Sequence, residues 1–136
     1  MHDIEKQLVV ERLYAEVWQN YAVVYGNKLP AIALLDAGAK AVKYAGRYWP
    51  KMPRVEINTA YYDGTENSAT KLRETIAHEL AHHITYHLYP KAKQWHGPEF
   101  KSVMQSIGYG GNTYHTMSVA KAKQIAKEGK NELFKL

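Results

Sequence analysis

His78-Glu79-Leu80-Ala81-His82 is the segment of this chain best equipped for chemistry. On a helix, residues four apart lie one turn up and about 40° round the axis, so the two imidazoles can converge on one ion. Neutral imidazole nitrogen is a good zinc ligand at about 2.0–2.1 Å. Glu79 lies about 60° round from His82, near enough to reach a water on such an ion. Zinc lowers the pKa of that water toward about 7, and a carboxylate beside it can take the proton. The chain has 7 His, and shuffling its composition would give His-Glu-x-x-His by accident roughly once in forty trials. The helical wheel argues against accident. At about 100° per residue, Leu72, Ile76, Ala77, Leu80, Ile84 and Leu88 fill one apolar arc. Thr75, His78, Glu79, His82 and Tyr86 fill the neighbouring arc. Core histidines belong inside the apolar arc, and these two lie beside it.

A zinc hydrolase needs a third protein ligand and leaves the fourth position to water. His96, in His96-Gly97-Pro98-Glu99-Phe100, follows a loop long enough to fold back. Glu99 is the rival, as in thermolysin-like sites where a later glutamate completes the set. The metzincin pattern fails, because the position six residues after His82 is Leu88 and the expected Gly is Thr85. His ligation favours zinc without selecting it uniquely.

The elements that must position these groups are legible from pattern. Ile4, Leu8, Val17, Tyr21 and Val24, with Leu13 and Trp18, predict a first helix ending near Gly26-Asn27. Strands are predicted over Ala31–Asp36, Ala41–Trp49 and Arg54–Asn58, separated by Gly38, Pro50 and Pro53. Asp63-Gly64 is a turn, after which Asn67 or Ser68 can cap a long helix running to about Tyr89. Pro98 opens a further helix with a stripe of Phe100, Val103, Met104 and Ile107. Thr116 or Ser118 can cap a last, Lys-rich helix. Helix, then strands, then helices is the order of an α+β fold.

With the motifs in place, the chain resembles the SprT-like zinc metalloprotease family, which includes the protease domain of Spartan. His78-Glu79-Leu80-Ala81-His82 followed by His96-Gly97-Pro98-Glu99-Phe100-Lys101 carries the resemblance. Leu29-Pro30, Ala45-Gly46 and Val55-Glu56-Ile57-Asn58 extend it upstream, over roughly residues 5–110. The resemblance implies a zincin-like fold: an N-terminal helix, a small three-stranded sheet, the HExxH helix and C-terminal helices. It implies one Zn2+ held by His78, His82 and His96, with Glu79 as the general base in peptide hydrolysis. The resemblance implies a protease associated with DNA, as the understood family members are, Spartan being one that cuts proteins crosslinked to DNA. Many carry a four-cysteine zinc ribbon; this chain has no cysteine and therefore no such C-terminal ribbon. Two other readings compete: a non-catalytic zinc-stabilised DNA-binding or regulatory module, and a metal-dependent hydrolase of a non-peptide bond. An intact Glu79 disfavours the first, since a structural site has no use for a base.

Other residues are weaker candidates. His83 and His87 are expected at the edge of the core, and His115 in a loop. Tyr114 is the candidate oxyanion donor, with Tyr61, Tyr62 and Tyr86 as lesser ones. Lys43, Arg47, Trp49 and Lys51 belong to a basic stretch from Lys40 to Arg54 interleaved with Tyr44 and Tyr48. Such interleaving suits single-stranded DNA, because charge tracks phosphate while rings stack on bases; the plainer reading is a wet basic sheet face.

Composition sets the outer bounds. A chain of 136 residues with 46% hydrophobic and 23% charged residues is expected to be one domain, residues 1–136, with a real core. The absence of cysteine excludes disulfides, thiolate metal sites and a Cys nucleophile. A net charge of +5 permits an anionic partner. With no long apolar run and no signal-like start, the protein is expected to be cytoplasmic, monomeric and without membrane contact.

Overall fold

The computed structural model describes residues 2–110. Tyr114, His115 and the expected last helix lie outside them. Three helices, α1 (Asp3–Tyr25), α2 (Glu66–Leu88) and α3 (Pro98–Ser106), accompany three strands, β1 (Leu34–Gly38), β2 (Gly46–Trp49) and β3 (Arg54–Asn58). The α+β arrangement is as expected. Among the described residues no helix is long and apolar enough to cross a membrane.

The strand order is β1-β3-β2, with β1 parallel and β2 antiparallel to β3. The β3 boundaries match the sequence expectation. The other two strands do not: β1 begins three residues late and β2 loses its first half. Before β1 the Ala31 and Ala33 carbonyls accept from the His83 and Tyr14 side chains; the lost half of β2 turns on Asn58, which is buried at the end of β3. Its amide Nδ2 donates to the Lys40, Val42 and Tyr44 carbonyls at 3.2–3.4 Å, and its Oδ1 accepts from the Lys40 N–H. Lys40, Val42 and Tyr44 therefore bond through their backbone to one side chain, while the Lys43 carbonyl accepts from the Tyr61 hydroxyl and the Ala45 carbonyl from the Asn58 N–H.

Val10, Leu13, Tyr14, Val17 and Tyr21 form the buried face of α1. Ile4, Leu8 and Val24, expected in that stripe, are exposed: at about 100° per residue Ile4 and Leu8 fall on the side of the helix away from Val10 and Val17, and Val24 lies in its last turn. Two phenols fix α1 in place. The Tyr14 hydroxyl donates to the Ala33 carbonyl at 2.6 Å, and the Tyr21 hydroxyl donates to the Ala77 carbonyl at 2.9 Å. The second bond lands on α2 one residue before His78.

Thr65, not Asn67 or Ser68, caps α2: its Oγ1 accepts from the Ser68 N–H at 3.1 Å. Asp63 in turn accepts from the Thr65 N–H and hydroxyl, so the Asp63-Gly64 turn builds the cap. Both arcs of the helical wheel are buried from Thr75 to Thr85, because the sheet, α1 and α3 surround the helix. Pro98 stands at the start of α3, and Phe100, Val103 and Met104 carry its buried stripe as expected. Gly108, at φ +95°, follows its end.

Candidate metal centre

α2 supplies His78 and His82, and the loop from Tyr89 to Gly97 returns His96 to them. One ring nitrogen from each lies within 4.8 Å of the others. His78 Nε2 and His96 Nε2 are 3.2 Å apart. Tetrahedral ligands at 2.0–2.1 Å from one ion stand about 3.3 Å apart, so this spacing suits a shared cation. Glu99, the rival third ligand, is not part of the cluster.

Aromatic rings hold the imidazoles. Phe100 lies against all three, with centroid distances of 4.9 Å to His78, 4.5 Å to His82 and 5.0 Å to His96. Trp95 stacks on His82 at 4.2 Å with planes 11° apart. Two rings this close and nearly parallel to a third must occupy opposite faces, so Trp95 and Phe100 clamp His82 between them. His78 and His82 are buried. His96 is half-buried, and burial lowers its pKa to about 4. It is thus neutral near pH 7, the form whose lone pair can bind a metal.

Glu79 is fully buried, and neither carboxylate oxygen completes a hydrogen bond. Burial raises its pKa well above the usual carboxylate range; the Arg47 guanidinium and the Tyr48 backbone N–H pull it partly back. A buried carboxylate so poorly solvated is costly unless a cation lies beside it. Together with three converging imidazoles, it makes a donor set that fits a divalent ion of the zinc type.

β2 sets the wall behind Glu79. A Cβ on Gly46 would lie 2.7 Å from Thr75 Cγ2 and 3.2 Å from Glu79 Cγ, so only glycine allows this approach. Tyr48, two residues on, faces the same side. Its hydroxyl donates to His83 Nδ1 at 2.7 Å, while His83 Nε2 donates to the Ala31 carbonyl at 2.7 Å. A carbonyl can only accept, which fixes the His83 tautomer. His83 is therefore a satisfied core residue, as expected; His87 is exposed, against expectation, since α2 outruns its cover there.

The remaining candidates scatter. Tyr61 donates its hydroxyl to the Lys43 carbonyl, Tyr62 is buried in the core, and Tyr86 is exposed near His82. Lys43, Arg47 and Lys51 are exposed, whereas Trp49 is half-buried. The Arg47 and Arg54 guanidinium carbons lie over the Trp49 ring at 4.2 and 5.3 Å, and its indole N–H donates to Glu56. Trp95, Gly46 and Tyr48 carry more of the site than their sequence context suggested. The available signals were the position of Trp95 directly before His96 and the Ala45-Gly46 pair in the family resemblance.

A helix bearing two histidines and a glutamate, a third histidine returned by the next loop, and a small sheet beside them define a zincin-like α+β domain. The family model described as the SprT-like family matches residues 11–120, and the chain belongs to that family, one of zincin-like metalloproteases. It is similar to Protein SprT of Vibrio parahaemolyticus serotype O3:K6, at 36% identity over 78 residues, 57% of this chain and 46% of that protein. Similarity to Protein SprT of Pasteurella multocida is 45% over 42 residues, covering 31% of this chain and 25% of that one. Protein SprT of Vibrio atlanticus is 28% identical over 78 residues, 57% of this chain and 45% of its own length. The chain thus aligns with less than half the length of these relatives. No solved structure matches.

Proposed function

We propose that the protein is a zinc-dependent metallopeptidase in which His78, His82 and His96 hold the ion and Glu79 is the general base. The observation that carries this reading is the three-imidazole cluster with a buried glutamate between two of its members. When bound, zinc supplies Lewis-acid polarisation of the scissile carbonyl and a water of lowered pKa. Glu79 accepts the proton of the attacking water and delivers it to the leaving amine nitrogen. The raised pKa of Glu79 suits a group that must both take and return a proton. Phe100 and Trp95 exclude solvent around His82 and hold its ring in place.

The substrate is proposed to be protein associated with DNA. The family resemblance and the exposed cations Lys43, Arg47 and Lys51 support this part. The test pairs metal analysis with a protein-degradation assay, with and without single-stranded DNA, on wild type and Glu79→Gln. We expect one zinc per chain in both proteins and degradation by wild type alone. Equal degradation by both would remove Glu79 from the chemistry. Zinc in both and degradation in neither would favour a non-catalytic module.

A further inference from the structure

A cleft of about 480 Å³ adjoins the metal centre and shares His82 with it. Its other walls include Thr85, Tyr86, Tyr89, Lys93 and Trp95. Tyr86, Tyr89 and Trp95 are 47%, 39% and 46% exposed, and they are the exposed aromatic side chains among the described residues. The other Phe, Tyr and Trp rings of the described residues are buried or half-buried, so their uncovered aromatic surface is concentrated in one place. Among the described residues no carboxylate lines the cleft, and Lys93 supplies its cationic side chain.

We propose that this cleft is a substrate subsite that takes a bulky aromatic side chain next to the scissile bond and disfavours a basic one. The proposal rests on the metallopeptidase reading, since it is His82 that places the cleft beside the reacting carbonyl. Aromatic walls favour an aromatic guest, because rings gain from offset-stacked and edge contacts beyond simple burial. The volume is ample for such a side chain. The Lys93 ammonium repels a lysine or arginine entering the same space, which is selection against the wrong residue as well as for the right one. Trp95 serves both parts of the site: one face lies on His82, and its exposed remainder forms cleft wall.

The test uses zinc-loaded Glu79→Gln protein and four acetylated, amidated pentapeptides, Gly-Gly-X-Gly-Gly with X as Phe, Leu, Ala or Lys. Binding is followed by tryptophan fluorescence. We expect the Phe peptide to bind about tenfold more tightly than the Ala or Lys peptides, the scale of burying one large side chain. Tyr89→Ala should erase most of the Phe preference. Lys93→Glu, a surface change that the fold tolerates, should bring the Lys peptide up to or above the Ala peptide. Equal affinities for all four peptides, or an unchanged order in Lys93→Glu, would overturn the proposal. Digestion of an unfolded protein by zinc-loaded wild type is scored separately. Its absence would defeat the peptidase reading while the binding order still decided the subsite.

Discussion

The Trp95 indole lies flat on the His82 imidazole, with ring centroids 4.2 Å apart and planes 11° from parallel. Phe100 covers the other face at 4.5 Å. The orientation of His82 is thus set by packing, and its ring can present a nitrogen to the cluster with little rotamer freedom left to lose.

The two clamp residues should separate experimentally. Phe100 is fully buried, so Phe100→Ala should cost about 3–5 kcal/mol of stability along with metal affinity. Trp95 is half exposed, so Trp95→Ala should lose less stability while zinc affinity still falls, by about tenfold. Thermal melts of the metal-free proteins and competitive zinc titrations measure the two quantities. A Trp95→Ala protein with wild-type zinc affinity would show that the stack does not orient His82.

The third ligand has a direct test. His96→Ala should lose most bound zinc, and Glu99→Ala should keep it, because the histidine lies in the cluster and the glutamate does not. Zinc bound to the folded state also raises the melting temperature, so the same pair should differ in their response to added zinc. Full occupancy in His96→Ala with loss in Glu99→Ala would reverse the assignment.

Much of this site was legible in the sequence, for identifiable reasons. His78 and His82 were findable because α2 is a long regular helix, where spacing alone fixes direction. His96 needed a loop to return, which spacing cannot show, and it became specific only with the Gly97-Pro98 helix start and the family pattern. The β2 boundary was misread because residues 41–45 look like strand, yet Val42 and Tyr44 bond to the Asn58 side chain, a long-range choice no local pattern records. The exposure of Ile4 and Leu8 went unseen because they were joined to Val17 and Tyr21 in one stripe, although the wheel puts them on the other side of the helix from Val10 and Val17.

Gly46 ties that misread segment to Glu79. Gly46→Ala should cost about 1–3 kcal/mol through overpacking and should lower activity by shifting Glu79. Gly38→Ala is the control, since its added carbon would meet only Gln7 Nε2 at 3.8 Å. Thr75→Ser should rescue, because it removes the clashing Cγ2 and keeps the hydroxyl that donates to the Lys71 carbonyl. A double-mutant cycle on melting temperature and activity reads the coupling. Strict additivity of the two changes would mean that the close contact does not govern the site.

The basic face of the sheet carries the last expectation. Arg47 and Trp49 project from β2 opposite Glu56 and Arg54 of β3, on the side away from Gly46 and Tyr48. Both guanidinium groups lie over the indole, and Glu56 takes the indole N–H. The ring is therefore already engaged by cations, and charge rather than base stacking should dominate any contact with nucleic acid. We expect weak, sequence-tolerant binding of single-stranded DNA that falls as salt rises, because phosphate contacts release counterions. Replacing Lys43, Arg47 and Lys51 together with Glu should abolish it. Trp49→Ala should cost less than the roughly 1–3 kcal/mol of a stacked base. The measurement is a salt titration of fluorescently labelled single-stranded DNA against zinc-loaded Glu79→Gln, with zinc content checked in every variant so that unfolding is not mistaken for lost contact. Absence of binding at low salt would defeat the DNA part. A full stacking loss in Trp49→Ala would mean that the two arginines yield the ring to a base. Neither result would touch the peptidase reading, which rests on the opposite face of β2, where Gly46 meets Glu79.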